Sequence, residues 1–250
     1  DRNHEHVDDR TKMLEQAIED TVSRGGTLMI PAFSLERTQE ILFELNHLVE
    51  QGRVPRVPVY LDSPLAIRIT EVYQRYPEFL KDEIRKIIKA GDDVFNFPGL
   101  VVTEGVDDSK HINEILGAKV IIAGSGMMNG GRILHHAKHY LPDANSMLLL
   151  VGYQANGTLG RALWEGASSV RIHDTDVAVR AEVRMISGFS GHKGSDDLVS
   201  FIRDISENTQ HVYCVMGETV SANHLAGRIR DEIGISADAP TAGEDREIVL

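Results

Sequence analysis

The segment ISGFSGHKGSDD, residues 186–197, places a single histidine, His192, among serine and glycine, between an apolar run and an acidic helix start. Imidazole is the side chain that ionises near neutrality, so a histidine presented in such a loop can donate a proton to a leaving oxygen or carry charge beside a phosphate. The same position also suits a residue that helps cap the helix beginning near Ser195, and the local sequence leaves both readings open. A second stretch, GSGMMNGGR (124–132), has glycines and a serine after an apolar run and an arginine at the expected helix start. Backbone amides in such a turn suit an anionic phosphate, which points to Ser125, Gly126 and Arg132. Its glycines are spaced GxGxxxGG rather than GxGxxG, so tight turns needing glycine for backbone geometry are the competing explanation. In HHAKH (135–139), His135 and His139 stand four apart and share a helix face, but no glutamate sits between them as in HExxH.

These residues must be positioned by the elements around them. Short apolar runs recur at GGTLMIPAF (25–33), RVPVYLDSP (56–64), GLVVTEG (99–105), AKVIIAGSG (118–126) and SMLLLVGY (146–153). Between them lie helical patterns over 35–52, 65–76, near 78–90, and near 108–116 and 130–141. Such alternation predicts an α/β protein with a mostly parallel sheet flanked by helices on both faces. Ligands of such sheets lie beyond the carboxyl ends of the strands. The loops there read PAFSLERTQ, LDSPLA, TEGVDDSKH, GSGMMNGGR and GYQANGTLGR. Arg37, Arg132 and Arg161 each follow such a loop, where a guanidinium fork can take a phosphate; an ordinary salt bridge is the alternative for each. Asp62 and Glu104 read as loop-shaping residues or arginine partners, and Glu218 as shaping its turn.

Composition narrows the class. A chain of 250 residues with 42% hydrophobic content can bury a large core. The net charge of -12 argues against a generally basic nucleic-acid surface but permits a local groove of arginines. Cys214 is the only cysteine, so neither a disulfide framework nor a thiolate metal cluster is expected, and a reducing, cytoplasmic setting fits. No stretch approaches the roughly 18 apolar residues of a membrane span.

In order along the chain, IPAFSLERTQEILFEL, YLDSPLAIRITEVY, IIAGSGMMNGGRILHHAKHYLPD, LLLVGYQANGTLGRAL and ISGFSGHKGSDDLVSFI resemble the β-CASP branch of the metallo-β-lactamase superfamily, metal-dependent RNA-processing nucleases. The opening DRNH resembles the end of the family's ESTYGDRxH segment, which suggests the carboxyl-terminal portion of a longer enzyme. The resemblance implies a β-CASP-like domain over 1–175, inserted as a lid, and over 176–250 the C-terminal segment of a metallo-β-lactamase-like domain. RNA would enter the cleft between them. It also implies zinc in the full-length enzyme, where a zinc-bound hydroxide attacks the scissile phosphorus. The ligands of the HxHxDH motif, and a later His and Asp, would lie upstream. HEHVDD (4–9) is one residue short of that motif and reads instead as a solvated helix entry for His4, His6 and Asp8. SGFSGH matches the family's SFSAH-like element, so His192 is implied to reach the scissile phosphate as half of an acid/base pair, with Ser190 orienting the phosphate or bracing the ring.

One departure bears on activity. Where the family carries its final zinc ligand in a VHGE-like turn, this chain reads VYCVMGE, and Met216 takes the histidine's place. A neutral thioether is a poor zinc ligand beside oxygen and nitrogen donors. The resemblance therefore supports two readings: the inactive-alone β-CASP portion of a zinc-dependent ribonuclease, or a non-catalytic RNA-binding or scaffold member. A nucleotide-binding α/β module unrelated to the family is a third, weaker reading. The expected partners are RNA, the upstream metallo-β-lactamase half and, through apolar surface left exposed in the C-terminal segment, a second copy of the chain. No metal is expected on this chain alone.

Overall fold

A computed structural model describes residues 2–246. Glu5–Ser190 forms one compact unit, and the described residues of 1–4 and 191–250 form a second.

The larger unit begins with α1 (Val7–Ser23) and continues β1 (Thr27–Pro31), α2 (Arg37–Glu50), β2 (Val59–Leu61), α3 (Pro64–Arg75), α4 (Asp82–Lys89), β3 (Leu100–Val102), α5 (Val106–His111), β4 (Lys119–Ala123), α6 (Arg132–Tyr140), β5 (Met147–Leu150) and α7 (Leu159–Trp164). It closes with the hairpin β6 (Ser169–Ile172) and β7 (Thr175–Ala178), followed by β8 (Glu182–Met185). Six strands pair in the order β3-β2-β4-β1-β5-β8, every pair parallel. This is the sheet expected from the alternation of apolar runs and helices. The central strands β1, β4 and β5 are buried along their whole length, which is why their sequences read as unbroken apolar runs.

The period of two along each strand divides the core into two layers. Leu28, Ile30, Leu61, Val120 and Ile122 face one layer, filled by Leu14 and Ile18 of α1, Ile41 and Leu45 of α2 and Ile67 of α3. Met29, Tyr60, Ile121 and Ala123 face the other, filled by Ile133, Ala137 and Tyr140 of α6, Leu163 of α7 and the hairpin residues Val170 and Val177. Burying each such leucine or isoleucine contributes about 1.5–3 kcal/mol. The chain runs leftward from β1 to β2 to β3 and then rightward from β4 to β5 to β8. The loops after the adjacent strands β1 and β4 therefore leave toward opposite layers, which opens a crevice at the carboxyl edge.

The compact units part after Ser190. The reason is β8, which pairs with β5 from Met147↔Glu182 to Leu150↔Met185 and so belongs to the six-stranded sheet.

The second unit holds α8 (Ser195–Asp204), β9 (His211–Tyr213), α9 (Thr219–Ile233) and β10 (Ser236–Asp238), with β9 and β10 parallel. Cys214, Ala222, Ala226, Ile229 and Ala237 form its small core. Leu198 and Phe201 of α8 and Ile205 just after it stay exposed at helical spacing, the apolar surface anticipated for this segment.

Candidate functional site

Beneath the carboxyl edge of the sheet sits a buried polar network. Asp62 follows Leu61, and the strand period turns its side chain toward the α5/α6 layer, where it is fully buried. Its Oδ1 accepts from Thr103 Oγ1 at 2.7 Å and from Arg132 Nη1 at 2.7 Å. Its Oδ2 accepts from Ser109 Oγ at 2.6 Å and lies 2.7 Å from His136 Nε2. Burial by itself would raise the carboxyl's pKa, but the hydrogen bonds from His136, Ser109, Thr103 and Arg132 outweigh it and hold it down to about 2. Arg132 also donates to the carbonyls of Thr103 (3.0 Å) and Glu104 (2.7 Å). His136 Nδ1 lies 3.2 Å from Asn113 Oδ1. One carboxylate thus ties β2, the β3–α5 turn, α5 and α6 together. Asp62 is the arginine partner read from the sequence; Glu104 contributes its carbonyl.

Above this network lies the crevice. Ser34 Oγ and Ser63 Oγ stand 3.4 Å apart, and both come close to Gly124. The Phe33 ring lies against Gly126 so closely that a Cβ there would sit 2.8 Å from the ring. Phe33 nevertheless keeps 45% of its surface exposed, and Tyr153, after the neighbouring strand β5, keeps 51%. Ser125 turns its hydroxyl into its own loop: Oγ donates to Gly130 O at 3.2 Å and accepts from Asn129 N at 3.1 Å. Gly131 closes that loop with φ +79°, and a Cβ on it would fall 2.3 Å from Gly124 O. Gly131→Ala is therefore expected to cost about 3 kcal/mol, read as a lowered midpoint in urea unfolding.

Each arginine singled out in the sequence has a carboxylate partner. Arg37, at the start of α2, pairs with Glu40; Arg161 Nε donates to Glu165 Oε1 at 2.6 Å; Arg132 holds Asp62. The first two are pairs within one helical turn, with 12% of the Arg37 and 23% of the Arg161 side chain exposed. Arg132 is committed to the buried network.

Ser190 ends the segment after β8. That segment is anchored by buried Phe189, whose ring lies 4.8 Å from the Arg10 guanidinium, and by Arg10 Nη1 donating to Gly188 O at 2.9 Å. In the second unit, His192 is exposed in the loop before α8. The first turn of that helix is served by Asn3 Oδ1, which accepts from Asp196 N at 3.0 Å, and by Asp197, which accepts from Gly194 N at 3.4 Å. Met216 is fully exposed, with φ +68°, in the turn between β9 and α9. At the other end of the chain, His6 and Asp8 are solvated as read. His4 is not: both ring nitrogens are buried and without a hydrogen-bond partner among the described residues. This corrects the reading of His4 as part of a solvated helix entry.

Residues 38–163, just over half the chain, match the family model described as a Beta-Casp domain. The chain belongs to the β-CASP family. Beyond this β-CASP domain, residues 176–240 match a model described as a Zn-dependent metallo-hydrolase RNA specificity domain. Among relatives, the β-CASP chain is 40% identical over 203 residues to "Ribonuclease TTHA0252" of Thermus thermophilus, covering 81% of this chain and 47% of that one. It is 33% identical over 238 residues to "Transcription termination factor FttA" of Thermococcus kodakarensis, covering 92% and 36%. It is 32% identical over 232 residues to "RNase J-like protein" of Methanocaldococcus jannaschii, covering 93% and 52%. The chain thus spans about half the length, or less, of these curated relatives.

Zinc is the metal of this family of RNA hydrolases. Among the described residues, no three His, Cys, Asp or Glu side chains converge as a metal shell, and the turn before α9 offers the thioether of Met216. These side chains do not fit a zinc centre. No helix among the described residues is long and apolar enough to cross a membrane.

Proposed function

We propose that this chain is the RNA-engaging portion of a zinc-dependent ribonuclease, holding RNA along the carboxyl edge of the β-CASP sheet while the metal centre is supplied by residues outside this sequence. The observation that carries the reading is the crevice itself. An exposed Phe33 ring rests on Gly126, beside the hydroxyls of Ser34 and Ser63. An aromatic face stacks on any base, and small residues let a phosphate approach the backbone. Ser125 and Gly126 shape the loop. Arg37 and Arg161 exchange their carboxylate partners for phosphates, and Arg132 sets the loop's position from below. His192 supplies the proton to the leaving oxygen, and Ser190 orients the phosphate.

A second reading, a non-catalytic RNA-binding member of the family, is favoured by Met216, exposed where the family pattern carries a zinc-binding histidine. Both readings make this chain alone inactive. Incubated with end-labelled RNA and added zinc, it is expected to yield no cleavage products on a denaturing gel. Cleavage that co-purifies with the chain and disappears in His192→Ala would overturn the proposal.

A further inference from the structure

A cavity of about 500 Å³ opens between α5 and α6, lined by Val106, Ser109 and Asn113 and by five residues of the Lys, Arg and His types: Lys110, Arg132, His135, Lys138 and His139. No carboxylate lines it, in a protein of net charge -12. The helical period explains the placement. On α6, Ile133, His136, Ala137 and Tyr140 turn inward, which leaves His135, Lys138 and His139 together on the outward face. Asp62, which Arg132 and His136 engage, is fully buried. Lys110 pairs with Asp107 at 3.1 Å, both side chains mostly exposed, a contact weak enough to yield to a ligand. His135 lies with its ring centroid 5.3 Å from that of His173 in the β6–β7 turn, which extends the wall with flat surface. Two histidines without a third ligand or a carboxylate make a poor metal site.

We propose that this cavity is a binding site for a ligand carrying two or more linked phosphates, either a free polyphosphate-bearing small molecule or the triphosphorylated end of an RNA. Lys110 on one helix and Lys138 on the other provide the charge and His139 a hydrogen-bonding ring, with Arg132 as the fixed back wall. Linked phosphates are preferred to a lone phosphate because the volume falls in the range of about 300–1,000 Å³ that accommodates nucleotide-sized ligands, and the cations come from two helices. The site is independent of the RNA edge proposed above, since it needs neither Phe33 nor His192.

The test is calorimetric titration of the whole chain with sodium tripolyphosphate at low ionic strength. It is repeated for Lys110→Glu, Lys138→Glu and a charge-matched control, Lys89→Glu, on exposed α4. The expected result is one binding event weakened roughly tenfold or more by either cavity substitution and unchanged by the control. Unfolding midpoints confirm that the variants fold. Displacement of tripolyphosphate by a 5′-triphosphorylated trinucleotide, but not by its 5′-hydroxyl form, assigns the site to RNA ends. Displacement by adenosine 5′-triphosphate alone assigns it to free nucleotides. Absence of binding, or equal weakening by all three substitutions, overturns the proposal.

Discussion

Replacing Asp62 with alanine is expected to destabilise the β-CASP unit by about 3–5 kcal/mol, because it leaves the Arg132 guanidinium without its buried counter-charge and His136 without its carboxylate partner. Arg132 has only 19% of its side chain exposed and His136 none, so water cannot replace the lost carboxylate. Thr103 and Ser109 lose their acceptor in the same stroke. For a unit of this size the loss corresponds to a fall in melting temperature of roughly 10 °C, measurable by calorimetry. Asp62→Asn retains part of the hydrogen bonding and should cost less. The pair also predicts a pH signature. The folded carboxyl titrates at about 2, below its ordinary 3.8, so its stabilisation is fully present above the unfolded value and is lost as pH falls toward the folded one. The advantage of wild type over Asp62→Asn should therefore be constant near neutrality and shrink between pH 4 and pH 2, by about 2 kcal/mol in all.

The largest effect on activity is expected at His192. Joined to a metallo-β-lactamase half that supplies the metal ligands, the His192→Ala form should lose roughly 10²–10⁴ in kcat, with little change in KM for RNA. The ring is exposed before α8, in the loop where the proposal above places the proton donor. A drop in RNA affinity with unchanged kcat would instead make His192 a binding residue. If Met216 marks a non-catalytic member, the joined protein shows no turnover to lose, and Met216→His becomes the variant that should restore it.

The fold was legible where side-chain pattern and burial agree. Leu28–Ile30, Val120–Ile122 and Met147–Leu150 are apolar on consecutive positions because both sheet faces are covered, and they form the central strands read from the sequence. Asp62 could be read as an arginine partner because it follows a strand and faces loops. Its four-way network could not, since Thr103, Ser109, Arg132 and His136 converge only when three crossovers are folded. His136 was concealed by its neighbours. The pair His135 and His139 draws attention as a metal motif, yet the period that buries Ile133, Ala137 and Tyr140 also buries the histidine between them. Phe33 carried a weaker signal, an aromatic directly after a fully buried strand. The burial of the His4 ring nitrogens, on a residue of intermediate exposure, is not encoded by any local pattern. The division of the chain after Ser190 follows from the pairing of β8 with β5, a contact between strands separated by a helix and a hairpin.

The most direct test of the account is RNA binding by the chain itself, followed by fluorescence anisotropy of a labelled single-stranded RNA across a salt series. The account predicts salt-dependent binding without added zinc, weakened about tenfold by Phe33→Ala through lost base stacking and comparably by Arg37→Glu through lost phosphate contact. Binding that is absent, or that survives both substitutions unchanged, would contradict the assignment of the RNA path to the carboxyl edge of the β-CASP sheet.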